Sequence, residues 1–163
     1  MALSAQAAGW FLLAAVPIGF FVAWSDLARM KIPNLATDGL ALAYVVLGLI
    51  ALPFETYLWG YAAFGVMLVF GILLNSAGVL GAGDAKFIAS AAPYIAWADA
   101  RMVMLILAAC LLAGYVTHRA AKASPLRRMV PHWESWSQGK RFPMGFPLAM
   151  TLVIYLGLAV ATG

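Results

Sequence analysis

Two acids stand where acids are costly. Asp26 closes the first apolar run, in Trp24-Ser25-Asp26, and Asp84 precedes the fourth, in Gly81-Ala82-Gly83-Asp84-Ala85-Lys86. Ionisable groups at membrane depth are expensive and by default mark function. Two carboxylates brought to one depth from different helices have a definite chemistry. Like charges at short range cannot both ionise easily, so such a pair holds one proton over a range of pH. The ionised member can take a proton from water while the protonated member polarises a carbonyl. That is peptide hydrolysis without a covalent intermediate, and its two apparent pKa values belong to the pair. Spacing and depth alone leave a second reading open, two unrelated loop carboxylates. The other four acids have local explanations. Asp38 follows Thr37 ahead of an apolar run, as a helix cap or first-turn charge does. Asp99 has Arg101 nearby in an outer loop, Glu55 lies in another outer loop, and Glu134 lies in a basic loop.

The elements that must position these acids are membrane helices. The chain has 163 residues, 65% hydrophobic and only 10% charged, with mean hydropathy +0.94. A soluble domain carries about 25% charged residues, so a cytosolic globular enzyme is excluded, and so is a disordered chain. Cys110 is the single cysteine, which excludes a disulfide scaffold and a structural zinc site built on several thiolates. A crossing needs about 20 apolar residues. The runs between charges place spans at about 8–25, 38–54, 57–77, 84–98, 102–118 and 143–161. The expected fold is therefore an all-α integral membrane protein of six transmembrane helices. It forms one membrane-embedded domain over 1–163, with no soluble domain. The fourth run is the exception, because only 87–98 is free of charge, short of the roughly 17-residue minimum. Either 79–86 dips into the bilayer zone or the fourth helix ends early. Irregular backbone is tolerated there only where protein buries it or water reaches it. Gly81 and Gly83 fit such a place, since glycine permits positive φ and close approach of another chain.

The basic residues set the orientation. The loops after spans one, three and five hold Arg29 and Lys31, then Lys86, then Arg119, Lys122, Arg127, Arg128, Lys140 and Arg141. Only Arg101 lies on the other side. By the positive-inside bias, the Asp26 and Asp84 ends face the cytoplasm and both chain termini face outward. The N-terminal run lacks a basic leader and a small-residue cleavage pattern, so it is expected to be a retained first helix. The net charge of +4 reflects topology and attraction to anionic lipid rather than a nucleic-acid partner. Loop 118–141 is the main basic segment and suits anionic lipid or an acidic partner. His118, His132 and Glu134 have no ligand-spacing pattern, so neither a metal nor a cofactor is expected.

Three stretches, in order, make a resemblance specific. Asp26-Leu27-Ala28-Arg29-Met30-Lys31-Ile32-Pro33-Asn34 resembles the Asp-x-x-x-x-x-Ile-Pro-Asn stretch of type IV prepilin peptidases. Gly81-Ala82-Gly83-Asp84 is a GxGD motif continuing to Lys86. Phe142-Pro143-Met144-Gly145-Phe146-Pro147 is similar to that family's Pro-x-Gly segment before the last helix. The short form resembles the peptidases of tight-adherence (Flp) pilus systems. The resemblance implies an intramembrane aspartic endopeptidase of the bacterial inner membrane. Its substrates would be prepilins or pseudopilins, cut at the cytoplasmic face, with pilus assembly machinery as a further partner. It implies Asp26 and Asp84 as the catalytic pair, with Gly81 and Gly83 shaping the loop that holds Asp84. Lys86 would tune the pair's charge or hold the loop, with a positive-inside residue as the plainer alternative. Pro33 and Asn34 would turn the chain into the second helix, with Asn as a cap. Pro143 and Gly145 would leave non-helical backbone for a substrate strand, with an ordinary helix break as the equal alternative. Longer members carry an insertion with paired Cys-x-x-Cys motifs and methylate the product. That insertion is missing here, so cleavage without N-methylation is expected. The alternatives are a non-catalytic pilus assembly factor, a presenilin-like protease, which would need a Tyr-Asp and a Pro-Ala-Leu segment absent here, and a small transporter with inverted halves.

Overall fold

The apolar runs fold as helices because a backbone in lipid must satisfy its own polar groups. In chain order they are α1 (Ala5–Arg29), α2 (Asn34–Ala51), α3 (Phe54–Ser76), α4 (Ala82–Ala91), α5 (Ala100–Ala123) and α6 (Gly145–Thr162). The computed structural model describes residues 1–138 and 142–163. Among the described residues there is no strand, and five helices are long and apolar enough to cross a membrane. The chain is an all-α, multi-pass membrane protein.

The fourth helix is the short one, and of the two outcomes the sequence left open it takes the early end. At 1.5 Å per residue, α4 rises only about 15 Å, half of a hydrocarbon core of roughly 30 Å. It stops at Ala91, where a span to 98 was expected. Two 3-10 turns, Ala92–Tyr94 and Trp97–Asp99, carry the chain onward. The first of these turns is covered by protein. Pro93 and Tyr94 are buried, the Tyr94 hydroxyl donates to the Leu40 carbonyl at 2.7 Å, and the Ala96 N–H donates to the Tyr155 hydroxyl at 3.2 Å.

Asp99 secures the end of that segment, and its role differs from the loop charge read in the sequence. Its partners are backbone and tyrosine rather than Arg101. The Ala2 N–H donates to Oδ1 at 3.0 Å and Oδ2 at 2.9 Å, the Leu3 N–H to Oδ2 at 3.3 Å, and the Tyr155 hydroxyl to Oδ2 at 3.0 Å. One buried carboxylate thus ties the start of the chain, the start of α5 and the far half of α6. Asp99→Ala would strand those donors, and hydrogen bonds to a charged group each contribute about 1.5–3 kcal/mol. We expect about 3 kcal/mol of lost stability, read as a lower melting temperature in detergent, with Asp99→Asn losing less because it still accepts.

α1 and α6 form the centre of the bundle. Their interface uses small residues, as helix packing in lipid does. A Cβ at Gly19 would lie 3.4 Å from Val153 Cγ2 and 3.6 Å from Ala149 Cβ. α5 runs on to Ala123, so His118, Arg119 and Lys122 are helical, although they were expected in loop 118–141. The buried His118 ring stacks on Trp136 at 5.0 Å and meets Phe142 at 6.0 Å, which makes it a packing residue. Residues 139–141 of that loop, with Lys140 and Arg141, lie outside the described residues. Up-and-down connections bring the end of α1 and the starts of α2, α4 and α6 to one end of the bundle, opposite Asp99.

Candidate active site

Asp26 lies in the last turn of α1 and is buried, 5% exposed. The start of α6 meets it there. The Gly145 N–H donates to Asp26 Oδ2 at 2.6 Å, a short hydrogen bond. The first residue of an 18-residue helix therefore presents its unsatisfied N–H, and the positive end of its dipole, to this carboxylate. The place is tight, because a Cβ there would lie 3.0 Å from Asp26 Cγ and 2.9 Å from Ile32 Cδ1, so a side chain would make Asp26 or Ile32 shift. Pro143 and Gly145 were expected to leave open backbone for substrate. Instead Pro143 is fully buried and the Gly145 N–H is already engaged by Asp26.

After Asp26 the chain turns sharply. Met30 ends α1 in the left-handed region (φ 52°), with its N–H on the Asp26 carbonyl at 2.9 Å. The buried Ser25 hydroxyl donates to the Lys31 carbonyl at 3.0 Å and holds the turn against α1. Pro33 then precedes α2 with φ −66° and makes no side-chain cap. Asn34 does not cap either, against expectation. It is the first residue of α2, and its side-chain oxygen accepts from Lys86 Nζ at 3.0 Å. Asp38 likewise sits inside α2 rather than capping it, accepting from the Thr37 hydroxyl at 3.4 Å.

Asp84 lies in the first turn of α4 and is half-buried. Gly81 and Gly83 serve close approach rather than unusual torsions. Gly81 has φ −68°, and among the described residues the only positive-φ glycine is Gly78. A Cβ at Gly81 would fall 2.5 Å from Asp84 Oδ2, so a side chain there would displace the carboxylate. A Cβ at Gly83 would meet Ile32 Cβ at 3.3 Å. α4 is itself pressed onto α3, where a Cβ at Gly71 would lie 2.9 Å from Ala85 Cβ.

These pieces enclose one cavity of about 490 Å³. Its lining takes in Ser25, Asp26, Arg29, Lys31, Asn34 and Asp84, together with the Gly81–Gly83 backbone. Two carboxylates 58 positions apart in the chain therefore share one recess at one end of the bundle. Lys86 flanks it through Asn34, joining the GxGD helix to the Ile-Pro-Asn turn.

The sequence model of the type IV leader peptidase family matches residues 10–117, well over half the chain and inclusive of both carboxylates. The chain belongs to that family. No curated protein and no solved structure gives a match. The matched region of the peptidase stops before α6, so the contact of Gly145 with Asp26 is a finding of the tertiary structure alone. Sequence reasoning gave no role to Ser25 or Ile32. For Ile32 the available signal was its place in the Ile-Pro-Asn stretch, whereas Ser25 had only its adjacency to Asp26.

Proposed function

We propose that this membrane peptidase is an aspartic endopeptidase that removes the short basic leader of prepilins or pseudopilins, and that it does so at the cytoplasmic face of the inner membrane. The observation that carries the reading is the shared recess. Asp26 and Asp84 come from separate helices and line one cavity at one end of the bundle. In this chemistry the ionised carboxylate takes a proton from water as its oxygen bonds to the scissile carbonyl carbon. The protonated carboxylate hydrogen-bonds the carbonyl oxygen and then transfers its proton to it. Collapse of the resulting diol breaks the C–N bond, and the amine leaves with a proton returned by the pair. The Gly145 N–H orients Asp26 for this work, and the Lys86–Asn34 contact braces the helix that carries Asp84.

After α5, at the same end of the bundle, exposed Arg127 and Arg128 beside Leu126 and Met129 suit anionic lipid. Pilus assembly machinery is the further partner in this reading, and methylation of the product is not part of it.

The test is co-expression with a candidate prepilin from the same genome, with the product followed by mass. We expect loss of the leader and a mature mass without the added methyl group. Intact prepilin with every candidate offered would move the chain to the assembly-factor reading. A methylated product would overturn only the second half of the proposal.

A further inference from the structure

We infer that Ser25, Asn34 and Lys86 are positioning residues, a strap of two hydrogen bonds that ties the end of α1 to the start of α4 and holds the two acids in register; the inference deepens the aspartic-peptidase reading and rests on it. α1 packs chiefly on α6, and α4 chiefly on α3, so the helices that carry Asp26 and Asp84 are not each other's main neighbours. At the site end, the turn between α1 and α2 joins them. Ser25, directly before Asp26, is buried, and its hydroxyl donates to the Lys31 carbonyl at 3.0 Å. A few residues on, the Asn34 side-chain oxygen accepts from Lys86 Nζ at 3.0 Å. Lys86 follows Asp84 closely on α4. The path from one acid to the other therefore runs through two side-chain hydrogen bonds and the short segment 31–34.

Each member suits its place. The turn needs holding, because Met30 sits in the left-handed region, which is unfavourable for a residue with a side chain. The Ser25 hydroxyl supplies that hold from inside the bundle. Pro33 has φ −66°, fixed by its ring, so a displacement at Lys31 is passed on to Asn34. An ammonium donating to an amide oxygen makes a stronger bond than two neutral groups do. Ser25 and Asn34 line the recess, whereas Lys86 does not, and so Lys86 acts through Asn34. Two carboxylates that must hold a water between them need a fixed separation, and small misplacement at a reacting centre is costly in rate. Cutting either bond of the strap lets the first turn of α4 drift from the end of α1.

The experiment measures leader removal in native membranes, at matched protein levels, for Ser25→Ala, Asn34→Ala, Lys86→Met and the Asn34→Ala/Lys86→Met double variant. We expect kcat to fall by about tenfold in Asn34→Ala and in Lys86→Met, and by about threefold or more in Ser25→Ala. KM should stay within about twofold, because a strap behind the acids does not bind substrate uniformly. The double variant should fall no further than the worse single one, since both substitutions delete the same bond. Asn34→Ala keeps the Lys86 charge. Wild-type kcat in Asn34→Ala beside a loss in Lys86→Met would overturn the strap and leave Lys86 acting by its charge. Multiplied losses in the double variant, or a rise in KM at unchanged kcat, would overturn it as well.

A second measurement does not use activity. In the first turn of α4 the Ala85 N–H is bonded to the Gly81 carbonyl at 3.0 Å. Hydrogen exchange over that turn should quicken by about threefold or more in Asn34→Ala and also in Ser25→Ala, although position 25 is on another helix. Unchanged exchange there in Ser25→Ala would overturn transmission through the turn. If Asp26→Asn or Asp84→Asn cuts as wild type does, the two-carboxylate reading fails, and the exchange measurement still decides whether the strap holds α4.

Discussion

Asp26→Asn and Asp84→Asn are each expected to reduce leader removal by roughly 10³-fold or more, and the double variant is expected to be no worse than either single one. The expectation follows from one proton being shared by two oxygen acids. Asparagine is close to aspartate in shape, so the Gly145 N–H can still meet an oxygen at position 26, and α4 keeps its start at position 84. What asparagine cannot do is accept a proton from water or hand one to a carbonyl. Losing either member therefore removes the base or the acid, and the remaining carboxyl cannot serve as both in the same step. Groups that act as one unit are strongly non-additive, which is why the double variant adds little. Membrane levels of each variant must match wild type. The measurement is the rate at which the prepilin band shifts to mature mass. A variant that still cuts at the wild-type rate would rule out the shared-proton mechanism, and the pairing of the two acids in one recess would then be structural.

Gly60→Ala is expected to be the most damaging small substitution outside the site. α2 and α3 meet around buried Tyr44. The Tyr44 hydroxyl donates to the Tyr57 carbonyl at 3.0 Å, the two rings stack at 5.6 Å, and Tyr94 packs edge-on to Tyr44 at 5.5 Å. The Tyr57 and Tyr61 hydroxyls also bond one another. A Cβ on Gly60 would lie 2.5 Å from Tyr44 Cζ and closer still to the hydroxyl oxygen. A flexible side chain could swing aside, but Tyr44 is held by its ring neighbours and its hydrogen bond. Overpacking of a fixed core commonly costs about 1–3 kcal/mol and sometimes more, and this contact belongs at the upper end. The expected result is a melting temperature in detergent well below wild type, together with reduced accumulation in membranes. Gly65→Ala on the same helix is the control, because nothing lies within 4 Å of a Cβ there. Equal stability of the two variants would mean that α3 can slide on α2, and that the tyrosine cluster is looser than its geometry implies.

Much of this protein was determined by the sequence alone. The low charge and long apolar runs require helices in a membrane, because no other backbone arrangement with this pattern satisfies its polar groups there. The rarity of acids at membrane depth singled out Asp26 and Asp84, and the short run 87–98 required an irregular fourth crossing. Contacts between distant segments were decided only by the tertiary structure. Asn34 reads as a cap, since asparagine caps well in isolation, yet its side chain is taken by Lys86 from α4. Gly81 and Gly83 suggest positive φ, yet they are needed for what lies against them, Asp84 and Ile32. Asp99 reads as a loop charge beside Arg101, yet it holds the start of the chain and Tyr155. Gly145 reads as a helix break, yet it is the donor that fixes Asp26. Local pattern reports what a residue can do with its chain neighbours. Which partner it meets depends on how helices far apart in sequence come to lie side by side, and in this bundle that is settled by small residues that let backbones approach, from Gly19 on α1 to Gly71 against α4.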